Sequence, residues 1–276
     1  MDDAVLSTED YAFLAELLLK RSALVLEPGK EYLVRARLLP VASRHGLQSI
    51  SQLIGLLRKI QQTVLWPEIV EAMVTTETSF FRDVHPFETL RKTVLPELIR
   101  ARRERRELNI WCAAAASGQE PYSIAILLKE HFPELMTWKL NFLGTDISKA
   151  MLQRSIEGRY SQLEVNRGLP AHLLLKYFHQ EGSWWRLDQQ VRNLVTFSQL
   201  NIAAAWPPMP RWDLVFLRNV MIYFDKSVKQ NILGQLRRTL QPDGYLVLGA
   251  AETTLNLDDS YRRVEQLPFG FYQLKN

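Results

Sequence analysis

Cysteine is nearly absent from this chain of 276 residues, where Cys112 stands alone. A single thiol excludes an internal disulfide framework and leaves no cysteine cluster for a structural metal. Its place inside an apolar run favours packing over reactivity. The five histidines, His45, His85, His131, His172 and His179, are scattered without an HxH or HxxxH pair, so a metal enzyme is not expected and no metal ligands are assigned. No run approaches the ~18 apolar residues of a membrane span. The opening MDDAVLSTED is acidic and has neither the basic flank nor the apolar stretch of a signal peptide. A soluble, cytoplasmic protein is expected. Internal repeats, low-complexity tracts and the GxGxxG of a dinucleotide fold are also missing.

What is present has ordinary globular proportions, with 47% apolar and 23% charged residues, and the length favours two domains over one. The net charge of +4 is unevenly spread. From Lys20 to Lys59, eight basic residues (Lys20, Arg21, Lys30, Arg35, Arg37, Arg44, Arg58, Lys59) face only Glu27 and Glu31. That excess favours an acidic partner, unless acids from elsewhere in the fold neutralise it. Residues 8 to 74 read as helical: Phe13, Leu14, Leu17 and Leu18 follow helical spacing, Ser7 with Asp10 resembles a capping box, and Pro28-Gly29 breaks the chain. A further helix over about 86 to 106 ends in RARRERRE, where cations suit the helix dipole and a solvated end is expected.

From Leu108 the rhythm changes. Strand-like segments at 108 to 113, 138 to 145, 213 to 217 and 244 to 250 alternate with helical patterns at 120 to 131, 147 to 157 and 227 to 240. This is the signature of an α/β, doubly wound and mostly parallel sheet. The stretch 183 to 197 lacks a helical period and predicts short inserted strands, and YRRVEQLPFGFYQLK predicts a closing hairpin.

In such a sheet a ligand lies beyond the C-terminal strand ends, near the first strand-to-helix turn. Ala113 to Ala116, Ser117 and Gly118 occupy that turn, and their small side chains allow close approach of a ligand to the backbone. Glu120 opens the next helix, where a diphosphate would meet an acid, so a cationic ligand group is the better match. Its alternative role is to favour the helix dipole. Asp146 closes the next strand in NFLGTDIS, either holding two ribose hydroxyls or capping the following helix. Together these features point to an adenosine cofactor without a diphosphate, best matched by S-adenosylmethionine.

Four blocks then carry a resemblance over nearly the whole chain: TTETSFFRDVHPFE (75 to 88), WCAAAASGQEPYSIA (111 to 125), GTDISKAML (144 to 152), and DLVFLRNVMIYFDKSVKQNIL (213 to 233) with LQPDGYLVLGAAET (240 to 253). In them the chain resembles the CheR family of chemotaxis receptor protein-glutamate O-methyltransferases. The resemblance implies a class I, Rossmann-like methyltransferase sheet with a small antiparallel β-subdomain, preceded by an all-helical domain. We place the helical, receptor-facing domain at 1–83, a linker helix at 84–107, and the methyltransferase domain at 108–276 with its β-subdomain at about 178–198. The implied cofactor contacts are Thr76, Thr78, Arg82, Glu120, Asp146, Asn201, Ile202, Arg218 and Asn219. Thr76 stands where many relatives carry asparagine, Gln119 replaces a glutamate, and Leu217 replaces a common cysteine.

The implied reaction moves a methyl group from S-adenosylmethionine to glutamate carboxylates of a methyl-accepting receptor, leaving S-adenosylhomocysteine. A glutamate is already an anion at neutral pH, so no general base is required and the absence of a Ser-His or His-Asp pairing is no deficit. Arg82 is the candidate for orienting the incoming carboxylate, with Tyr223 as a second donor. Arg35 and Arg37 in YLVRARL are the candidate substrate-steering pair. The expected partner is the cytoplasmic helical domain of a membrane chemoreceptor, met by a bacterial, cytoplasmic monomer. The segment Phe178 to Val195 is short for the pentapeptide-binding form of the family, so docking without that tether is expected. Nucleic acid is not an expected partner: Trp206-Pro207-Pro208-Met209 lacks the amide and aromatic of a base methyltransferase turn. Competing with the receptor methyltransferase are a nucleic-acid methyltransferase, a non-catalytic adaptor that binds S-adenosylmethionine, and a nicotinamide oxidoreductase, the last weakened by the missing glycine fingerprint.

Overall fold

Apolar residues three and four apart give the N-terminal region its helices: α1 (Thr8–Ser22), α2 (Glu31–Arg44), α3 (Ile50–Lys59) and α4 (Leu65–Met73). The structure is a computed structural model and describes residues 6–59, 65–267 and 270–275. Ser7 caps α1 by accepting from the Asp10 N–H at 3.0 Å, and Ala23 ends it in a left-handed conformation. Leu14, Leu18, Val34, Leu38, Leu53, Ile54 and Ile69 are buried to 1% exposure or less, each burial contributing about 1.5–3 kcal/mol. Ion pairs stitch the helices together. Arg58 reaches Glu9 and Asp10 on α1, and Arg44 with His45 grips Glu68 on α4. Acids outside the basic stretch therefore neutralise part of it.

The helical unit comprises Met1–Thr75 together with Tyr223–Val228, and the second unit comprises Thr76–Ile222 with Lys229–Asn276. Residues 76–83, read from sequence as part of the helical domain, thus belong to the larger unit. The physical reason is Phe80, fully buried there with its ring edge-on to Tyr160 at 5.0 Å and to Phe178 at 5.5 Å.

The second unit continues with α5 (His85–Thr89), a π-helical turn (Leu90–Val94) and α6 (Leu95–Arg102). Then follow β1 (Glu107–Ala113), α7 (Gln119–His131), β2 (Lys139–Asp146) and α8 (Lys149–Glu157). A short inserted region holds β3 (Arg159–Ser161), α9 (Gln162–Asn166), α10 (Ala171–Tyr177), β4 (Phe178–Glu181), β5 (Trp184–Leu187) and α11 (Gln189–Arg192). The chain closes with β6 (Thr196–Gln199), β7 (Trp212–Leu217), α12 (Lys226–Thr239), β8 (Leu240–Leu248), β9 (Tyr261–Arg263) and β10 (Phe271–Leu274).

The main sheet runs β6-β2-β1-β7-β8-β10-β9. Its first five strands are parallel, β10 pairs antiparallel with both β8 and β9, and β9 with β10 forms the expected closing hairpin. A separate antiparallel sheet runs β3-β5-β4. It begins at Arg159, before the segment assigned to it from sequence, while Thr196–Gln199 from that segment pairs in parallel with β2 as the edge of the main sheet.

The RARRERRE end departs from a solvated helix. Arg102 is 8% exposed, bonds Asp213 through Nε at 2.6 Å and forks onto Asp243. Asp213, fully buried, also accepts from the Asn109 N–H at 2.8 Å. The network ties α6 to the starts of β1 and β7 and to β8, at the end of the sheet opposite the candidate site.

Candidate functional site

Because β6, β2, β1, β7 and β8 are parallel, their C-terminal ends open on one side, and each delivers a polar group or a tight turn there. After β1 the chain passes through Ala114 (φ 58°), Ala116 (φ 48°) and Gly118 (φ 91°), three left-handed residues within five. Such a path aims main-chain amides at neighbouring groups. The Ala115 N–H donates to the Thr145 carbonyl at 2.8 Å, and the Ala116 N–H to Asp146 Oδ2 at 2.8 Å. Asp146 Oδ1 accepts from the Ser148 N–H at 2.9 Å, and the carboxylate is 5% exposed, with two oxygens that can each accept more than one bond. Asp146 thus fixes the first turn, while Ser148, which accepts from Met151 N–H, caps α8. The helix-cap alternative for Asp146 is not what the geometry shows.

Glu120, in the first turn of α7, pairs with Arg218 after β7, Oε2 to Nη1 at 2.8 Å. Burial pushes the Glu120 carboxyl above the ordinary carboxylate range, Arg218 and Arg82 pull it down, and Glu252 adds to the upward push. Arg218 has a side chain 1% exposed and also binds Asp83 Oδ2 at 2.6 Å and the Arg82 carbonyl at 3.2 Å. Its Nε–H is buried without a partner. Asp83 therefore serves Arg218. Arg82 itself is half-buried and donates through Nη1 to the Glu77 carbonyl at 3.1 Å. Its turn is left-handed at Phe81 (φ 48°), Asp83 (φ 69°) and Val84 (φ 50°), held by the Arg218 bonds and by Ser123 Oγ, which accepts from the Phe81 N–H at 2.9 Å. Thr76 and Thr78 lie half-buried upstream in the same segment.

The edge strand completes the row. The Leu200 N–H donates to the Asp146 carbonyl at 3.0 Å, bringing Asn201 and Ile202 to the end of β2. Asn201 Oδ1 accepts from the Ala203 N–H at 3.0 Å, and the carbonyl of buried Ile202 accepts from Trp206 Nε1 at 3.0 Å. On the other flank Asn219 follows Arg218 with φ 58°. Its N–H donates to a carboxylate that sequence reasoning missed, Glu252 after β8. The signal for it was available: AAET places an acid just past an apolar strand, as GTD does at β2.

The remaining predicted residues fall in the helical unit. Tyr223 accepts there through its carbonyl from the Val25 N–H at 3.3 Å. Arg37 is half-buried, donating to the Met73 carbonyl and to Thr75 Oγ1, and so holds the end of α4; Arg35 is half-buried on the same helix. Cys112 is fully buried in β1, and burial pushes its thiol well above the usual range. Among the described residues no His, Cys, Asp and Glu group is placed to hold a metal, and no helix is long and apolar enough to cross a membrane.

The residues fit an adenosine cofactor carrying a charged tail. Two acids and a buried guanidinium with a spare donor line strand ends whose turns hold small side chains, and no glycine-rich diphosphate cradle is formed among the described residues. Comparison with known proteins agrees with this chemistry. The family model described as "CheR methyltransferase, SAM binding domain" matches residues 76–268, and that described as "CheR methyltransferase, all-alpha domain" matches residues 9–74. A chemotaxis protein methyltransferase 1 of Pseudomonas aeruginosa is 38% identical over 271 residues, covering 96% of this chain and 98% of the relative. A chemotaxis protein methyltransferase of Vibrio parahaemolyticus is 35% identical over 279 residues, covering 100% of each.

Proposed function

Since the chain belongs to the CheR methyltransferase family, we propose that this S-adenosylmethionine-dependent methyltransferase esterifies glutamate side chains on the helical cytoplasmic domain of a chemoreceptor. The observation that carries the reading is the pair of carboxylates, Glu120 and Asp146, at successive parallel strand ends, with Arg218 locking the first. The cofactor, when bound, supplies an electrophilic methyl group on a sulfonium. Asp146 accepts from hydroxyls of the ribose, Glu120 accepts from donors at the amino-acid end, and Asn201 with Ile202 borders the adenine side. Thr76 and Thr78, Arg218 and Asn219 complete the cofactor set.

Displacement at the methyl carbon is in line, so the residues act chiefly by positioning. Arg82 orients the acceptor carboxylate by a forked pair of donors. The basic α1–α3 region, Arg35 and Arg37 included, draws the acidic receptor segment in. Docking proceeds without a pentapeptide tether.

Incubation with labelled S-adenosylmethionine and receptor-bearing membranes is expected to give base-labile methyl esters on the receptor. Label on nucleic acid instead would overturn the reading. Arg82→Ala is expected to lower the transfer rate by about 100-fold, the scale of losing one positioning contact, while leaving the thermal midpoint near that of the parent. Parental turnover would remove the role.

A further inference from the structure

Four main-chain N–H groups converge on one buried side chain past the ends of β7 and β8. Glu252, 7% exposed, accepts at Oε2 from Asn219 and Gly249, both at 2.7 Å, and at Oε1 from Val220 at 2.9 Å and Met221 at 2.7 Å. Three consecutive amides, the first from a left-handed residue, form the kind of concavity that binds anions. Here the chain's own carboxylate fills it. The packing is close: a Cβ added at Gly249 would lie 2.7 Å from Glu252 Oε2 and 2.8 Å from Asn219 Nδ2.

We propose that Glu252 is a positioning residue for the transfer reaction: its carboxylate plugs an amide anion hole and thereby holds Arg218 and Asn219 in their cofactor-binding geometry. The inference rests on the assignment of Arg218 and Asn219 to the cofactor. Asn219 sits at φ 58°, a left-handed conformation that asparagine tolerates better than most residues but that the chain must still select over the right-handed one. The Asn219 N–H bond to Glu252 favours that selection, and the Gly249 bond to the same oxygen anchors it to β8. Arg218, immediately before, then turns its guanidinium to Glu120 and Asp83.

The decisive experiment is chemical rescue. Affinity for S-adenosylhomocysteine is titrated for the parent chain, Glu252→Ala and Gly249→Ala, each with and without sodium acetate, against sodium chloride at equal ionic strength. Binding by the parent tests the cofactor assignment itself, and its failure would sink that assignment before the variants are read. Glu252→Ala is expected to bind roughly tenfold more weakly or worse, the scale of one displaced binding group, and acetate but not chloride should restore most of the loss by refilling the cradle. Parental affinity in Glu252→Ala overturns the proposal. So does a loss that acetate leaves unchanged, which would make Glu252 a packing residue only. If Glu252→Ala does not fold, Gly249→Ala decides: it keeps the carboxylate but displaces it, and parental affinity there is equally fatal.

Discussion

Glu120 concentrates the competing forces of the site in one side chain. Burial favours its neutral form, Arg218 and Arg82 favour the anion, Glu252 opposes it, and burial is the largest of these. An acid whose folded pKa is raised gives up stability as pH rises from its unfolded pKa through its folded one, so the ionised form that a ligand donor needs is the strained one. Affinity for S-adenosylhomocysteine should therefore weaken on acidification at a pH above that of an exposed carboxylate. Glu120→Gln should remove that limb and bind roughly tenfold more weakly at neutral pH; titration calorimetry across the acid range checks both, and an unchanged limb would show that another group carries it. Sequence made Glu120 and Asp146 legible because each stands at a switch from apolar strand to helix. It did not make Arg218 legible as the centre of a network, because its partners Asp83 and Glu120 lie 135 and 98 residues away.

At the scale of elements, the turn between β1 and α7 works through two kinds of small residue. Gly118 is required: at φ 91° a Cβ would meet Ser155 Oγ at 2.9 Å and Tyr122 Cε2 at 3.1 Å, and that Ser155 hydroxyl donates to the Ala116 carbonyl. Ala116 is tolerated at φ 48°, where glycine would be relaxed. Gly118→Ala should cost more than about 1 kcal/mol in urea unfolding and weaken cofactor binding, whereas Ala116→Gly should stay within about 1 kcal/mol of the parent. Equal effects at both positions would mean that the turn is not set by backbone conformation. β1, β7 and the part of β8 from Gly244 onward are readable in the sequence because they are largely apolar and buried, while β2 is only part-buried over its first five residues and keeps its fully buried stretch at its C-terminal end. The three-residue β3 is not readable, since a strand that short carries no period, and it exists through its pairing with Trp184 to Arg186. The sequence assigns β6 to the wrong sheet for a related reason: four residues fix an extended conformation but not a neighbour, and the choice is made by the parallel register with Leu143 to Asp146.

For the whole molecule the sharpest question is how much its positive charge would help it find the acidic receptor segment proposed as its substrate. Eight basic residues between Lys20 and Lys59 point to strong steering. The fold spends part of that charge internally: Arg44 on Glu68, Arg58 on Glu9 and Asp10, and Arg37 on main-chain and hydroxyl oxygens at the end of α4. Paired cations contribute little to a field beyond a Debye length, which shrinks from about 10 Å at 0.1 M salt to about 3 Å at 1 M. The steering contribution to kcat/KM for receptor methylation is thus expected near the lower end of the usual range, roughly tenfold, lost between about 0.05 and 0.5 M salt. Cofactor affinity provides the internal control. The Arg218–Glu120 pair beside the proposed cofactor is largely shielded from solvent, with side chains 1% and 12% exposed, so binding of S-adenosylhomocysteine should change far less over the same interval. A methylation rate as flat as the cofactor affinity would assign the basic helices to structure alone. A parallel fall in both would place the salt effect on the site and not on the encounter.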